Sequence, residues 1–144
     1  MTIRVATILD GKGHDVLTVA PESSVAALVK LLAEKRIGAV PVVDGTGRVK
    51  GIVSDRDVVR ALAGDAAVLE RKVDSLMTRE VQTCVLQDTV ADLMEIMTRG
   101  RFRHLPVVEA GKLIGIISIG DVVKQRVAEA QSEVEALTSY ITTS

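Results

Sequence analysis

The strongest constraint in this sequence is an internal repeat. Residues 16–45 align without a gap to residues 81–110, at a shift of 65 residues that pairs Thr18 with Thr83. A match of this length between two halves of one chain does not arise by chance. It predicts two copies of one structural unit, and because neither copy can cover its apolar sheet face alone, we expect them to pack together about a pseudo-twofold axis.

Each copy has the pattern of a βαββα unit. A short β-rich run near Val16–Val19 or Val81–Val85 precedes a helix whose start is typical of N-caps, with Ser24 in one copy and Asp88-Thr89 in the other. Two strands joined by a tight turn follow, and a second helix closes the copy. The sequence therefore predicts an α+β fold of two tandem βαββα repeats.

The closing helix of the second copy is expected to be longer than that of the first. The first stops near Gly64, whereas the second meets no Gly or Pro before Tyr140. Its apolar residues alternate by four and three, the spacing of a helix seam: Val123, Val127, Ala130, Val134, Leu137 and Ile141. We expect Val123 and Val127 to cover their own domain. Beyond Ala128 the stripe needs another surface, and a twofold-related subunit is the nearest candidate.

Composition and charge exclude several classes of protein. The net charge is -1 with both signs interspersed, which argues against a broad nucleic-acid surface. No signal peptide is evident and charges interrupt the long apolar runs, so we expect no membrane span and a cytoplasmic location. Cys84 is expected as a buried strand residue, and His14 and His104 are too far apart in sequence to indicate a metal site. Since Phe102 and Tyr140 are the only aromatic residues, aliphatic side chains and backbone would have to grip any flat ligand.

The same turn follows the last strand of both copies. It reads Gly-x-x-Ser-x-x-Asp, with Gly51, Ser54 and Asp57 in one copy and Gly115, Ser118 and Asp121 in the other. A single Ser-x-x-Asp is most simply a helix-capping box. Two matched copies favour a binding role, because a helix N-terminus suits a phosphate, the Ser hydroxyl adds a donor and the carboxylate can accept both hydroxyls of a ribose. The glycine would let the ligand or neighbouring backbone approach closely.

The tandem order of strand, helix, Pro-Val-Val strand, hairpin and Gly-x-x-Ser-x-x-Asp resembles a pair of CBS domains, often called a Bateman module. The resemblance implies repeats at residues 1–68 and 69–128, with 129–144 as a C-terminal helical extension. Such modules bind adenosine-containing ligands (AMP, ADP, ATP, NAD(H), sometimes S-adenosylmethionine) in clefts between the repeats, and they usually form homodimers. With no further catalytic domain evident, a stand-alone two-CBS protein is expected.

The resemblance also implies which residues contact the ligand. In each cleft, one copy's threonine and strand-entry residues would surround the base, and the other copy's Ser and Asp would hold phosphate and ribose. The residues implied are Thr18, Ile37, Ala39, Ser118 and Asp121 in one cleft, and Thr83, Phe102, His104, Ser54 and Asp57 in the other. Both threonines are equally well explained as ordinary strand residues.

The two copies differ in charge near this turn. Arg56 occurs only in the first copy, and Arg103-His104 of the second copy stands where the first has Gly38-Ala39. Each cleft would then have one phosphate-facing cation, which favours anionic nucleotides and disfavours the sulfonium of S-adenosylmethionine. The alternative for both arginines is a solvated surface charge. His104 is expected to line the cleft rather than to act as an acid or base.

Three functions are compatible with these patterns to different degrees. The leading hypothesis is a ligand-sensing regulatory module that binds adenine nucleotide and signals to an unidentified protein partner. The alternative is a dimerisation scaffold whose clefts are empty or hold a permanent structural nucleotide. An enzyme is not expected, because the sequence offers no nucleophile–base pair and no metal cluster.

Overall fold

The structure, a computed structural model, describes residues 2–143. Its helices and strands follow in the order α1 (Val5–Lys12), α2 (Val25–Lys35), β1 (Ala39–Val43), β2 (Val49–Ser54), α3 (Asp55–Gly64), α4 (Val90–Gly100), β3 (His104–Glu109), β4 (Lys112–Ser118) and α5 (Ile119–Thr143). Two short 3-10 turns, Ala66–Glu70 and Val73–Ser75, connect α3 to the second repeat. The α+β fold with two repeats and a long C-terminal helix is confirmed.

The strand expected at the start of each repeat is reduced to one bridging residue. Val19 pairs in parallel with Val42, and Cys84 pairs in parallel with Val107. The chain turns away directly afterwards, at Pro21 in the first repeat. A single bridge anchors the segment to the hairpin, whose strands β1 and β2 pair antiparallel.

The helix that follows begins as predicted in both repeats. The Ser24 hydroxyl accepts a backbone N–H of the first turn of α2 at 3.1 Å. Thr89 and Asp92 form a reciprocal capping box at the start of α4. Both helices end in a left-handed residue at equivalent positions, Arg36 with φ 54° and Arg101 with φ 58°. The repeat in sequence is therefore a repeat in backbone conformation.

The chain divides into two compact units that are interleaved in sequence. The first-repeat unit consists of Asp15–Val81 and Val108–Ile114. The second-repeat unit consists of the described residues up to His14, Gln82–Val107 and those from Gly115 onward. Helix α1 therefore belongs to the second-repeat unit although it precedes the first repeat. The boundaries at residues 68 and 128 remain predictions.

The core of the first-repeat unit is aliphatic. It combines one face of α2, the inward side of β1 and β2, one residue of α3, and the segment that connects α3 to the second repeat: Val25, Leu28, Leu32, Val40, Val42, Val53, Val58, Val73 and Met77. Each fully buried side chain of this size contributes about 1.5–3 kcal/mol relative to an exposed one. The packing of α2 on the hairpin therefore makes a large contribution to the stability of this unit.

The second-repeat unit has an equivalent core to which α1 adds Val5 and Leu9, both fully buried. Cys84 is 1% exposed, as expected of a buried strand residue. Burial, helped by the nearby charge of Asp88, raises the pKa of its thiol to about 12. The thiol therefore stays protonated and unreactive at neutral pH.

The glycine that recurs in β2 and β4 lies against other parts of its own unit. Its position is not open to solvent or to a ligand. A Cβ added at Gly51 would lie 2.7 Å from the sulfur of Met77 and 2.8 Å from the carbonyl oxygen of Thr78. At Gly115 it would lie 2.8 Å from a methyl group of Leu9. Gly51 is therefore required by the backbone that packs against it, and Gly115 leaves room for the Leu9 side chain of its own unit.

The C-terminal helix corrects one expectation. Val123 and Val127 do not cover their own domain, since they are 46% and 52% exposed. The face of α5 that packs on its own unit contains fully buried Val122 and half-buried Gln125 and Glu129. This face is offset by about one residue from the apolar stripe that begins at Val123. The whole stripe is therefore exposed from its first residue.

Replacing Gly51 with Ala is expected to destabilise the protein by about 1–3 kcal/mol, because the new methyl group meets the backbone of Thr78, which cannot move freely. Urea unfolding at neutral pH measures the difference. Gly45→Ala is the matched control, since nothing lies within 4 Å of a Cβ there. Equal stability of the two variants would show that β2 tolerates a side chain at Gly51.

Candidate functional site

In both repeats the last strand runs directly into a helix. Ser54 is the final residue of β2, and α3 begins at Asp55. Ser118 is the final residue of β4, and α5 begins at Ile119. The β-branched and aliphatic residues before each serine favour strand, and serine is a strong N-cap, so the change from strand to helix needs no loop.

In the first repeat, Ser54 and Asp57 form a reciprocal capping box. The backbone N–H of Asp57 donates to Ser54 Oγ at 3.2 Å. Asp57 Oδ2 accepts from the backbone N–H of Ser54 at 2.9 Å and from its hydroxyl at 3.0 Å. Both side chains are partly buried and fixed by these bonds.

In the second repeat, Ser118 and Asp121 reproduce the same geometry. The backbone N–H of Ser118 donates to Asp121 Oδ2 at 2.8 Å, and the backbone N–H of Asp121 donates to Ser118 Oγ at 3.1 Å. The capping role weighed from the sequence is therefore present in both copies. A ligand-binding role stays a prediction.

A second hydrogen bond, also repeated, ties each turn to the segment that leads into the preceding hairpin. The backbone N–H of Asp55 donates to the carbonyl of Gly38 at 2.9 Å, and that of Ile119 donates to the carbonyl of Arg103 at 2.8 Å. These segments contain the residues predicted to contact a base. Their backbone is thus held in a fixed position beside the Ser-x-x-Asp turn of the same repeat.

The capping boxes leave part of each carboxylate available. Among residues 2–143, the hydrogen bonds to Asp57 and Asp121 fall on Oδ2. Both side chains are partly exposed at a helix N-terminus. Each carboxylate can therefore accept a further hydroxyl through Oδ1 without losing its cap.

The second repeat has a cation at this turn that the sequence analysis missed. Lys12, in the last turn of α1, donates to Asp121 Oδ2 at 2.7 Å and to the carbonyl of Ile116 at 2.9 Å. Within the described part of the chain, Asp57 has no such ion pair. No sequence signal could have found Lys12, because it lies outside the repeat and 109 residues away from Asp121.

Lys12 changes the ionisation of Asp121. Partial burial by itself raises the pKa of this carboxyl, but hydrogen bonds from Lys12 and Ser118, together with the charge of Lys12, outweigh burial and lower the pKa below its usual value. Asp121 is consequently ionised throughout the physiological range.

The other residues predicted to contact a ligand form two sets, and each set lies within a single unit. Thr18, Ile37 and Ala39 belong to the first-repeat unit, where Ile37 also packs against the core. The set in the second-repeat unit is Thr83, Phe102, Arg103 and His104. Apart from exposed Thr18 and Arg103 they are partly buried, and Arg56 on α3 is exposed. The pairing of each base segment with the other copy's turn stays a prediction.

Residues 2–143 offer no metal centre and no membrane-spanning helix. No group of three or more His, Cys, Asp or Glu side chains is arranged to hold a metal ion in this range. The described helices include none with the length and apolarity needed to cross a membrane. The two Ser-x-x-Asp turns therefore remain the leading candidate site.

Replacing Lys12 with Met should lower stability at neutral pH by up to about 1 kcal/mol, the value of a partly exposed ion pair. Because the folded pKa of Asp121 is lowered, this contribution is present above the unfolded pKa of about 3.9 and is lost as pH falls through the folded pKa. Urea unfolding at pH 7 and at pH 3 measures it. The difference from wild type should shrink at the lower pH, and exposed Lys112→Met should show no such pattern.

Comparisons with known proteins agree with this architecture. The profile of the CBS domain matches residues 12–64 and 73–128. A 17.7 kDa protein of Acidianus ambivalens is 34% identical over 125 residues, which span 86% of this chain and 73% of that protein.

Solved structures similar to this chain are also CBS-domain proteins. The CBS-domain containing protein ATU1752 from Agrobacterium tumefaciens is 52% identical with a TM-score of 0.81, covering 87% of this chain and 93% of that one. CBSX2, solved in complex with AMP, is 31% identical with a TM-score of 0.70, covering 80% and 90%. The repeat, the fold and the two profile matches lead to one conclusion: this chain belongs to the CBS domain family and contains two CBS domains in tandem.

Proposed function

We propose that this chain is a regulatory module that senses adenine nucleotides (AMP, ADP, ATP or NAD(H)) through its two Ser-x-x-Asp turns. The observation that carries the proposal is the recurrence of the whole turn, with the same capping bonds and the same backbone tie to the base segment, in both repeats. A relative that is 31% identical was solved with AMP, which supports an adenine nucleotide as ligand class.

The chemistry of the turn fits a ribose and a phosphate. The carboxylate of Asp57 or Asp121 accepts from ribose hydroxyls through the oxygen that the cap does not use. The helix N-terminus offers backbone donors to a phosphate in both repeats, and the Ser118 hydroxyl adds one in the second repeat. The Ser54 hydroxyl, which donates to Asp57 Oδ2, would have to turn from that carboxylate to reach a phosphate. Thr18, Ile37 and Ala39 in one repeat, and Thr83, Phe102 and His104 in the other, would surround the bases.

The charges near the two turns differ, which supports anionic ligands and unequal affinities. Arg56 lies two residues after Ser54, whereas Lys12 is bound directly to Asp121. Arg103 adds a further exposed cation in the second repeat. A ligand with a sulfonium cation is disfavoured at such a site, so S-adenosylmethionine ranks below AMP, ADP, ATP and NAD(H).

A sensing role requires two conformations that bind nucleotide with different affinity. The output would be read by a protein partner, and we place the module in the cytoplasm as a homodimer without catalytic activity.

The alternative is a scaffold that does not respond to ligand. One observation favours it: the capping boxes satisfy both turns without ligand. Two measurements distinguish a sensor from a scaffold. Mass spectrometry identifies small molecules released from the purified protein, and exchange experiments give the rate at which bound nucleotide is replaced. A sensor should exchange AMP or NAD quickly with affinity near cellular levels, and a scaffold should bind none or hold it permanently.

The carboxylates give the first test of the site. Asp57→Ala and Asp121→Ala should each remove charge-assisted hydrogen bonds worth about 1.5–3 kcal/mol, a 10- to 150-fold loss of affinity at that turn. Isothermal calorimetry with AMP and with NAD measures the loss. Both variants also lose a cap, which costs about 1 kcal/mol of stability.

Asp92→Ala is the matched control, because Asp92 closes a capping box of the same geometry with Thr89 at the start of α4. It should lose the same stability and keep wild-type affinity. The double Asp57/Asp121 variant binding AMP and NAD like wild type would contradict the assignment.

The second test concerns inequality of the sites. Arg56→Ala should weaken only the site that contains Asp57, by about 2- to 5-fold, the effect of an exposed cation on a phosphate. Arg60→Ala, one turn later on the same helix and also exposed, should change neither site. Uniform weakening of two equivalent sites in the calorimetric titration would show that the cation assignment is wrong.

A further inference from the structure

Lys12 is a cation of the second-repeat unit that the backbone of the fold does not require. In the second repeat, the carbonyl of Ile116 in β4 accepts from Lys12 Nζ at 2.9 Å. In the first repeat, the equivalent carbonyl of Ile52 in β2 accepts from the backbone N–H of Thr78 at 2.9 Å. Because a backbone donor satisfies this carbonyl in one copy, hydrogen bonding of the strand does not account for a charged side chain in the other.

Helix α1, which carries Lys12, is anchored to its unit by other residues. Val5 and Leu9 are fully buried, and the backbone N–H of Val5 donates to the carbonyl of Asp88 at 2.9 Å. An ion pair as exposed as that between Lys12 and Asp121 contributes little to stability. The helix therefore holds the ammonium beside this carboxylate without depending on it.

The ammonium group of Lys12 keeps one donor for a ligand. Of its three N–H groups, one bonds to Asp121 Oδ2 at 2.7 Å and one to the Ile116 carbonyl, and no third acceptor is present among residues 2–143. The Lys12 side chain is 34% exposed, so a ligand can reach it. Asp121 in turn keeps Oδ1 as an acceptor. A donor and an acceptor thus lie side by side at the start of α5.

The start of α5 is also open to an anion, because Gly120 stands where the first repeat has Arg56. Apart from its chain neighbours and the helix backbone, a Cβ built at Gly120 would meet only Ser118 Oγ among residues 2–143, at 3.6 Å. The N–H groups of this first turn have no acceptor within the helix. An anion can therefore approach the backbone closely. The first repeat carries its cation on the turn itself, whereas the second receives one from Lys12.

A carboxylate alone would favour a ligand without a phosphate. It accepts the ribose hydroxyls of adenosine and of AMP equally, and its negative charge repels the phosphate that only AMP carries. The Lys12 ammonium offsets that charge from a distance of 2.7 Å. It also offers an anionic oxygen a charge-assisted hydrogen bond. Lys12 thus supplies the preference for phosphate that Asp121 lacks.

We propose that Lys12 binds the phosphate group of the ligand held by Asp121 and makes this turn selective for nucleotides over nucleosides. The phosphate lies between the ammonium and the first N–H groups of α5, where the positive end of the helix dipole adds to the attraction. The inference rests on the proposed function, because it takes Asp121 to hold the ribose of the same ligand.

Isothermal calorimetry of the full chain with AMP and with adenosine tests this role. Asp57→Ala is included throughout, so that the titration reports the turn of Asp121. Adding Lys12→Met should lower the affinity for AMP about 10-fold, the lower end for a charge-assisted hydrogen bond, because Lys12 is partly exposed. The affinity for adenosine should not change, because the backbone N–H of Ser118 still orients Asp121.

Lys124→Met is the matched control. Lys124 is exposed and lies one turn after Asp121 on α5, so its loss removes the same charge from the same helix without removing a contact to the carboxylate. This variant should keep the ratio of AMP affinity to adenosine affinity. Unchanged binding of adenosine also shows that the Lys12→Met chain is folded at this turn.

The possible failures are distinguishable. An unchanged ratio of the two affinities in Lys12→Met would overturn the inference and leave Arg103 as the cation for the phosphate. A gain in adenosine affinity without a loss for AMP would also overturn it, because Lys12 would then compete with the ribose for Asp121. No binding of either ligand to the unsubstituted chain would overturn the proposed function, and this inference with it.

Discussion

The rest of the structure depends on the reciprocal hydrogen bonds between a serine and an aspartate three residues later. They allow a strand to become a helix within one residue, at Ser54 and again at Ser118. Without them the N–H groups of Asp57 and Asp121 in the first helical turns would lack partners, and both carboxylates would be free to rotate. The bond from the same helix start to the carbonyl of Gly38 or Arg103 then fixes the entry to the hairpin.

The repeats are alike in backbone and different in electrostatics. The capping distances agree closely between the two turns, yet among residues 2–143 a lysine binds Asp121 and none binds Asp57. That lysine comes from a helix outside the repeated segment. Two turns with the same backbone geometry can thus differ in charge through a residue outside the repeated segment, without any change in the turn itself.

Much of the fold could be predicted because its signals are local. The repeat, the N-caps Ser24 and Thr89, the end of α3 at Gly64 and the burial of Cys84 all follow from residue type and spacing. The phase of α5 could not be predicted, because four-three spacing identifies a stripe but not the surface that covers it. Val122 is buried instead of Val123 because α5 leaves the strand rotated by one residue relative to that stripe.

The site was predicted less completely than the fold. Ser54, Asp57, Ser118 and Asp121 were identifiable because their pattern occurs twice. Lys12 was not, because a contact across 109 residues leaves no periodic signal. The opening strands were overpredicted for a related reason: β-propensity near Val19 and Cys84 is high, but each segment finds only one residue of a partner strand.

The place of α1 has a consequence for synthesis of the protein. Its backbone bonds to Leu86 and Asp88, and its Leu9 packs on Gly115, which leaves the ribosome about 100 residues later. At about 5–20 residues per second that delay is about 5–20 s, and a helix of 8 residues does not persist alone for so long. The first-repeat unit also waits for Val108–Ile114, whose Leu113 bonds to Gly47. The core of the first-repeat unit, which runs from Val25 to Met77, can close well before synthesis ends. The apolar face of α1, with Val5 and Leu9, has to wait for the second repeat and stays exposed on the nascent chain until β4 has been made.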